Sequence, residues 1–265
     1  MEIIILKIGG SVITNKFSKK PRVNFKNLEI ISKEIAEVYH SQKISLVLIH
    51  GAGSFGHVIA KETGIDKGIK NENQLRAFAE TQRLQNKLNS IVTQYLISKN
   101  LPAFPYQASA SAVMNSGRLT QMDISTLRGL LKIGMIPVLY GVPAYDENQK
   151  CSILSGDQIA GFLAQKLNAK IIIHGTDVDG IYDEDPNLDS NAVLIPEINA
   201  KNIDQVKNYL KGPRQIDITG GMIGKISEVI KSGVKGQIIN AQKPGNIRKA
   251  INGERIGTII DIIVD

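Results

Sequence analysis

Short runs of branched apolar residues, each followed by a segment of helical period, leave this chain few folds to choose from. The runs are Glu2 to Ile8, Ile44 to Ile49, Ile136 to Tyr140, Lys170 to His174 and Gly236 to Asn240, and most of them are almost continuously apolar. A strand with one wet face alternates in polarity. A strand buried on both faces does not, and helices on either side of a parallel sheet provide that burial. Between the runs, Phe25 to Tyr39 places Leu28, Ile31, Ile35 and Val38 on one helical face with Asn24 as N-cap. Asn73 to Ser98 is a long helical stretch, and Ser155 to Leu167 repeats the pattern with Ile159, Leu163 and Leu167. This alternation predicts an α/β fold with a mainly parallel central sheet. Leu101 to Leu130 is less regular, with Ser109 to Met114 and Arg118 to Met122 reading as hairpin strands. No linker, internal repeat or low-complexity tract interrupts the 265 residues, so 1–265 is read as a single domain with an N-terminal half of about 1–165 and a C-terminal half of about 166–265.

Bulk composition removes several classes of function. A hydrophobic content of 42% with 22% charged residues is that of a soluble globular chain, and no window approaches the roughly 18 consecutive apolar residues of a spanning helix. No membrane association is expected. The first residues enter an apolar strand directly, without the pattern of a secretory signal, and the single cysteine, Cys151, has no internal disulfide partner. A reducing cytoplasm is therefore the expected location. The net charge of +7 comes from 32 Lys and Arg spread along a chain without Trp, which disfavours a nucleic-acid partner and fits a basic cleft that draws in small anions.

Four glycine-hinged turns carry the chemistry. His50-Gly-Ala-Gly-Ser-Phe-Gly-His57 follows the second apolar run, and its glycines let backbone N–H groups approach an anion, with His57 just beyond. Lys7-Ile-Gly-Gly-Ser11 places a lysine at the carboxyl end of a buried strand, where open α/β sheets bind ligands, and Lys16 is near enough to reach back over the same place. Ser155-Gly-Asp157 opens a helix; the carboxylate either caps it or holds lysines in place. Gly220-Gly-Met-Ile-Gly-Lys225 brings a lysine into a helix start. Each has a blander reading as a solvated strand end, a cap or a turn. Together they point to a place where phosphate is moved.

Three familiar motifs fail, one on its context and two on spacing. Gly51 to Gly56 matches a dinucleotide fingerprint, but the polar stretch Lys61 to Asn73 contains no strand to supply the ribose-binding acid. The turn at Gly220 has three residues between its outer glycines and Ile226 where a P-loop has its hydroxyl. Thr176 to Pro186 is acidic, yet Gly180 falls too early for an EF-hand loop.

The segments Lys7 to Lys16, His50 to His57, Leu154 to Ala160, Thr176 to Pro186 and Asp217 to Lys225 together resemble the amino acid kinase superfamily over nearly the whole chain. The Gly-Ser-Phe-Gly-His57 ending resembles those members whose acceptor is isopentenyl phosphate. The resemblance implies a three-layer αβα sandwich that moves the γ-phosphate of ATP, carried with Mg²⁺ on its phosphates and not on protein ligands, to that acceptor. It assigns His57 to the acceptor phosphate, Lys7, Lys16 and Lys225 to the transferred group, and Asp157 to organising the lysines. Gly10, Ala52 and Gly156 fall on the acceptor side. Gly9, Gly10, Ser11, Gly53, Asp177, Asp179, Tyr182, Gly220 and Gly221 fall on the ATP side with Lys7 and Lys225. Ala52 stands where related sequences often have Gly, tolerable if its φ is negative. The same resemblance implies a homodimer, and an acceptor half followed by a nucleotide half. Leu75, Phe78 and Leu84 on the long helix are expected to line a hydrocarbon pocket or to join the core. A fosfomycin kinase or N-acetylglutamate kinase activity on the same fold, and a nucleotide-binding sensor without turnover, are the alternatives.

The chemistry agrees with such a reading on its own terms. A phosphate monoester, with a second pKa near 6, is already ionised at neutral pH and needs no base to become a nucleophile. Repulsion between two anions is the obstacle, and clustered lysines, oriented N–H groups and a hydrogen-bonding histidine lower it.

Overall fold

All five apolar runs become strands, with no end moved by more than two residues. A computed structural model describes residues 2–15, 18, 20–184, 189, 191–210 and 221–262. In chain order its strands are β1 (Ile3–Ile8), β2 (Ser45–His50), β3 (Ala103–Pro105), β4 (Ala112–Asn115), β5 (Arg118–Met122), β6 (Ile136–Tyr140) and β7 (Val142–Asp146). They continue with β8 (Lys150–Leu154), β9 (Ile171–Thr176), β10 (Ile181–Tyr182), β11 (Leu194–Ile195), β12 (Glu197–Ile198), β13 (Lys235–Asn240) and β14 (Thr258–Ile260). The helices are α1 (Gly10–Ile13), α2 (Phe25–Ser41), α3 (His57–Thr63), α4 (Glu72–Ile97), α5 (Ser125–Lys132), α6 (Gly156–Leu167), α7 (Ile203–Leu210), α8 (Gly221–Ser232) and α9 (Asn246–Ile251).

Among the described residues an eight-stranded sheet runs in the order β12-β14-β13-β9-β1-β2-β6-β3, parallel except where β13 meets β14. Successive side chains of a strand face opposite ways, so one strand feeds two cores. Ile5, Val47, Ile49, Ile172 and Ile238 pack with α5, α6, α7 and α8. Ile4, Leu6, Leu46, Leu48, Ile173 and Ile239 pack with α1, α2, α4 and α9. The result is the expected αβα sandwich. Caps set the helix starts: the side chains of Asn24, Asn71 and Ser155 accept from the N–H groups of Asn27, Gln74 and Gln158.

The middle of the chain supplies more strand than its pattern suggested. β3 forms one edge of the main sheet, and β5-β4-β7-β8 makes a separate four-stranded sheet. Ser109 lies in a 3₁₀ turn, Ala108–Ala110, and the strand begins only at Ala112. The buried Asp146 ties this sheet together: it accepts from the N–H groups of Ser116, Gly117, Asn148 and Gln149 and from the Ser152 hydroxyl. Burial works against its ionisation, but these donors hold its pKa down at about 2. Cys151 on β8 is fully buried, and that burial pushes its thiol up to about 12.

Registry decides where a site can form. Ile8 lies opposite His50 on β2 and Gly175 on β9, so the carboxyl ends of three adjacent strands finish level. Their turns leave the sheet side by side.

Candidate active site

The turns after β1 and β2 meet backbone to backbone. The N–H of Gly9 donates to the carbonyl of Gly175 (2.7 Å), and that of Gly51 to the carbonyl of Ile8 (2.9 Å). A Cβ on Gly10 would lie 2.2 Å from the nitrogen of Gly53, so no larger residue fits. Gly53 has φ +49 and presses on Thr14, whose Oγ1 would be 2.0 Å from a Cβ there. Glycine is required at 53 by both conformation and space. Ala52 has φ −68, which a methyl tolerates.

Three charged residues from different elements converge beside these turns. Asp157, in the first turn of α6, lies 2.8 Å from Lys7 Nζ and 3.2 Å from Lys225 Nζ. Lys225, from the first turns of α8, also reaches the carbonyl of Gly221 at 3.4 Å. All three side chains are nearly enclosed, at 5%, 7% and 11% exposure for Asp157, Lys7 and Lys225. Burial alone would raise the pKa of Asp157. The Lys225 and Lys7 ammonium groups, with help from His174, instead hold it well below the usual carboxylate range. Gly156 packs against this group, since a Cβ there would sit 3.3 Å from Lys7 Cε and 3.5 Å from the carbonyl of His50. The capping reading of Asp157 is corrected: Ser155 caps α6, which leaves the Asp157 carboxylate to the lysines.

His174 belongs to the cluster and was not anticipated. It lies on β9 opposite Lys7, fully buried, with Nδ1 3.4 Å from the Asp157 carboxylate. Burial lowers its pKa more than Asp157 raises it, so it stays neutral at pH 7. The one signal in the chain was a polar residue ending an otherwise apolar strand run.

On the acceptor side, His57 opens α3 directly after the 3₁₀ turn Gly53–Phe55 and is half-buried. Long helix α4 supports the turn from behind. Asn89 Oδ1 lies 3.1 Å from His50 Nε2, Gln85 Nε2 lies 3.5 Å from the Ala52 carbonyl, and the Tyr140 hydroxyl donates to Asn86. His50 also stacks on Tyr140 at 5.5 Å. Burial takes the His50 pKa down to about 4, against the opposing bonds to Gly51 and Asn89. Of the apolar residues expected on this helix, Leu84 packs on the core and Phe78 is half-buried, whereas Leu75 is 55% exposed.

Past β9, Asp177 is half-buried, and Asp179 accepts from Lys243 Nζ (2.8 Å) and Asn240 Nδ2 (3.0 Å). Tyr182 sits on β10. Ser11 lies half-buried in α1 beside Gly10, and Gly221 begins α8. Lys16 and Gly220 lie outside the described residues. Lys7, Asp157 and Lys225 therefore form one ionic centre, with Gly156 packed against it. Such a centre can hold phosphoryl oxygens.

Comparison with known proteins fits this geometry. Residues 2–240 match the amino acid kinase family. The chain is 42% identical to the isopentenyl phosphate kinase of Methanothermobacter thermautotrophicus, with 96% of this chain and 97% of that protein covered. It is 37% identical to the isopentenyl phosphate kinase of Methanocaldococcus jannaschii, with 98% of each covered. A solved structure of an isopentenyl phosphate kinase superposes with a TM-score of 0.84 at 39% identity, covering 98% of this chain and 100% of that one. With the motifs, the layered sheet and these matches in agreement, the chain belongs to the amino acid kinase family.

Proposed function

We propose that this enzyme transfers the γ-phosphoryl group of MgATP to isopentenyl phosphate, giving isopentenyl diphosphate and ADP, a step in making isoprenoid precursors. The observation that carries the reading is the buried Lys7–Asp157–Lys225 centre at the junction of two glycine turns, in a chain 42% identical over 263 residues to an isopentenyl phosphate kinase.

The acceptor phosphate is the nucleophile and arrives ionised, so the work is to bring two anions into line. In this reading Lys7, Lys225 and Lys16 face the transferred group, and the phosphoryl oxygens take over part of the role Asp157 has in the free protein. His57 and the N–H groups around Gly10, Ala52 and Gly156 hold the acceptor phosphate, while Gly9, Ser11 and Gly53 face ATP. Asp177, Asp179, Tyr182, Gly220 and Gly221 border the nucleotide. The order of the main sheet supports an acceptor half and a nucleotide half, because β1, β2, β6 and β3 lie on one side and β9, β13, β14 and β12 on the other. Mg²⁺ enters with ATP. Cytoplasmic location and a homodimer complete the reading; among the described residues no helix is long and apolar enough to cross a membrane.

The test is ADP release with isopentenyl phosphate, dimethylallyl phosphate, fosfomycin and N-acetylglutamate compared side by side. The expected result is the highest kcat/KM with isopentenyl phosphate. Preference for fosfomycin or N-acetylglutamate, or ATP binding without ADP release for any acceptor, overturns it.

A further inference from the structure

The phosphate turns after β1 and β2 are joined by more than packing. Thr14, 1% exposed, ends α1. Its hydroxyl donates to the carbonyl of Gly10 at 2.8 Å and accepts from the N–H of Ser54 at 3.0 Å. Ser54, also buried, accepts through its own Oγ from the N–H of Arg22 at 3.2 Å. Arg22 in turn accepts from the N–H of Asn15 at 2.9 Å, and Thr14 pairs with Val23 as an antiparallel bridge. A single hydroxyl thus spans the gap between the Gly10 turn and the Gly53 turn, and Gly53 lacks a side chain where one would displace that hydroxyl.

In-line phosphoryl transfer is sensitive to this gap. With two anions held by separate turns, the spacing of the turns sets the approach of nucleophile to phosphorus, and an error of about 1 Å costs on the order of 100-fold in rate. We propose that Thr14 and Ser54 form a clasp that fixes the separation of the donor and acceptor phosphate turns, with Thr14 as a positioning residue that touches neither substrate. The inference rests on the kinase reading above.

Thr14→Val keeps the shape and removes both hydrogen bonds; Thr14→Ser keeps the hydroxyl and loses the methyl. The expected result for Thr14→Val is a kcat lowered about 10-fold or more, with KM for each substrate and the calorimetric Kd for MgATP changed less than about threefold. Thr14→Ser is expected to restore kcat to within about threefold of wild type. A wild-type kcat in Thr14→Val overturns the clasp, as does an equal loss in Thr14→Ser, which would assign the effect to methyl packing. If Thr14→Val does not fold, Ser54→Ala takes its place: it frees the Arg22 anchor and is expected to lower kcat by clearly more than threefold, about fivefold or more, at unchanged KM, and a kcat within about threefold of wild type there overturns the proposal. Wild-type turnover is measured first with the acceptor panel. Preference for another acceptor removes the substrate assignment alone, and the variant-to-wild-type ratios are then read with that acceptor.

Discussion

One carboxylate balancing two ammonium groups leaves a small enclosed volume with excess positive charge, and that excess is what an incoming phosphate neutralises. Removing one partner from a buried ion pair costs about 3 to 5 kcal/mol. Asp157→Asn is therefore expected to lower unfolding free energy by about 3 kcal/mol without nucleotide. Saturating MgATP should narrow the difference, because its oxygens supply the missing negative charge to Lys7 and Lys225. Urea titrations with and without MgATP check this, and an unchanged difference would place the lysines away from the phosphates. His57 acts on one substrate only. His57→Ala is expected to raise KM for isopentenyl phosphate about 10-fold, the worth of one hydrogen bond to a charged group, while the KM for ATP stays put. Steady-state kinetics in each substrate decide it. At this scale the sequence was informative where a charged residue stood within two positions of a glycine turn, as Lys7, Asp157 and Lys225 do. It was silent on His174 and Thr14, whose importance comes from neighbours on other segments: Lys7 and Asp157 for the first, Gly10 and Ser54 for the second.

Strands buried on both faces announce themselves, which is why β1, β2, β6, β9 and β13 were legible to within two residues at each end. β3, β12 and β14 have only two or three residues each, too few for a period to show, and β7 carries Pro143. Helix α4 was legible as a helix but not as a support. Its polar residues Gln85, Asn86 and Asn89 look like a solvated face in the sequence, yet Gln85 and Asn89 are buried behind the acceptor turn. Asn89→Leu would leave the buried Nε2 of His50 without its partner. The expected loss is about 1 to 3 kcal/mol of stability, together with a several-fold higher KM for isopentenyl phosphate and an unchanged KM for ATP. Equal effects on both substrates would mean that α4 supports the whole sandwich and not the acceptor turn in particular.

Across the molecule, buried titrating groups divide acid sensitivity into two windows. His50 falls from 6.5 to about 4 on folding, because burial disfavours its charged form. The unfolded chain then binds the extra proton, so the contribution is complete above pH 6.5 and is lost as pH falls towards 4; it amounts to about 3 kcal/mol. His174 shifts in the same direction. Asp157 and Asp146 also shift downward, from 3.8, so their contribution persists through the first window and is lost only as pH falls further. Urea midpoints should decline between pH 6.5 and 4 and decline again below that. His50→Gln should flatten part of the first decline and leave the second, and an unchanged first slope would mean that His50 titrates normally. The fully enclosed thiol of Cys151, raised to about 12, has a practical consequence. As the chain's only cysteine, it offers almost no thiolate to a maleimide at neutral pH. A probe cysteine placed at the outward-facing Ile133, 75% exposed, would be labelled alone, and the natural chain is its own blank for fluorophore or spin-label work.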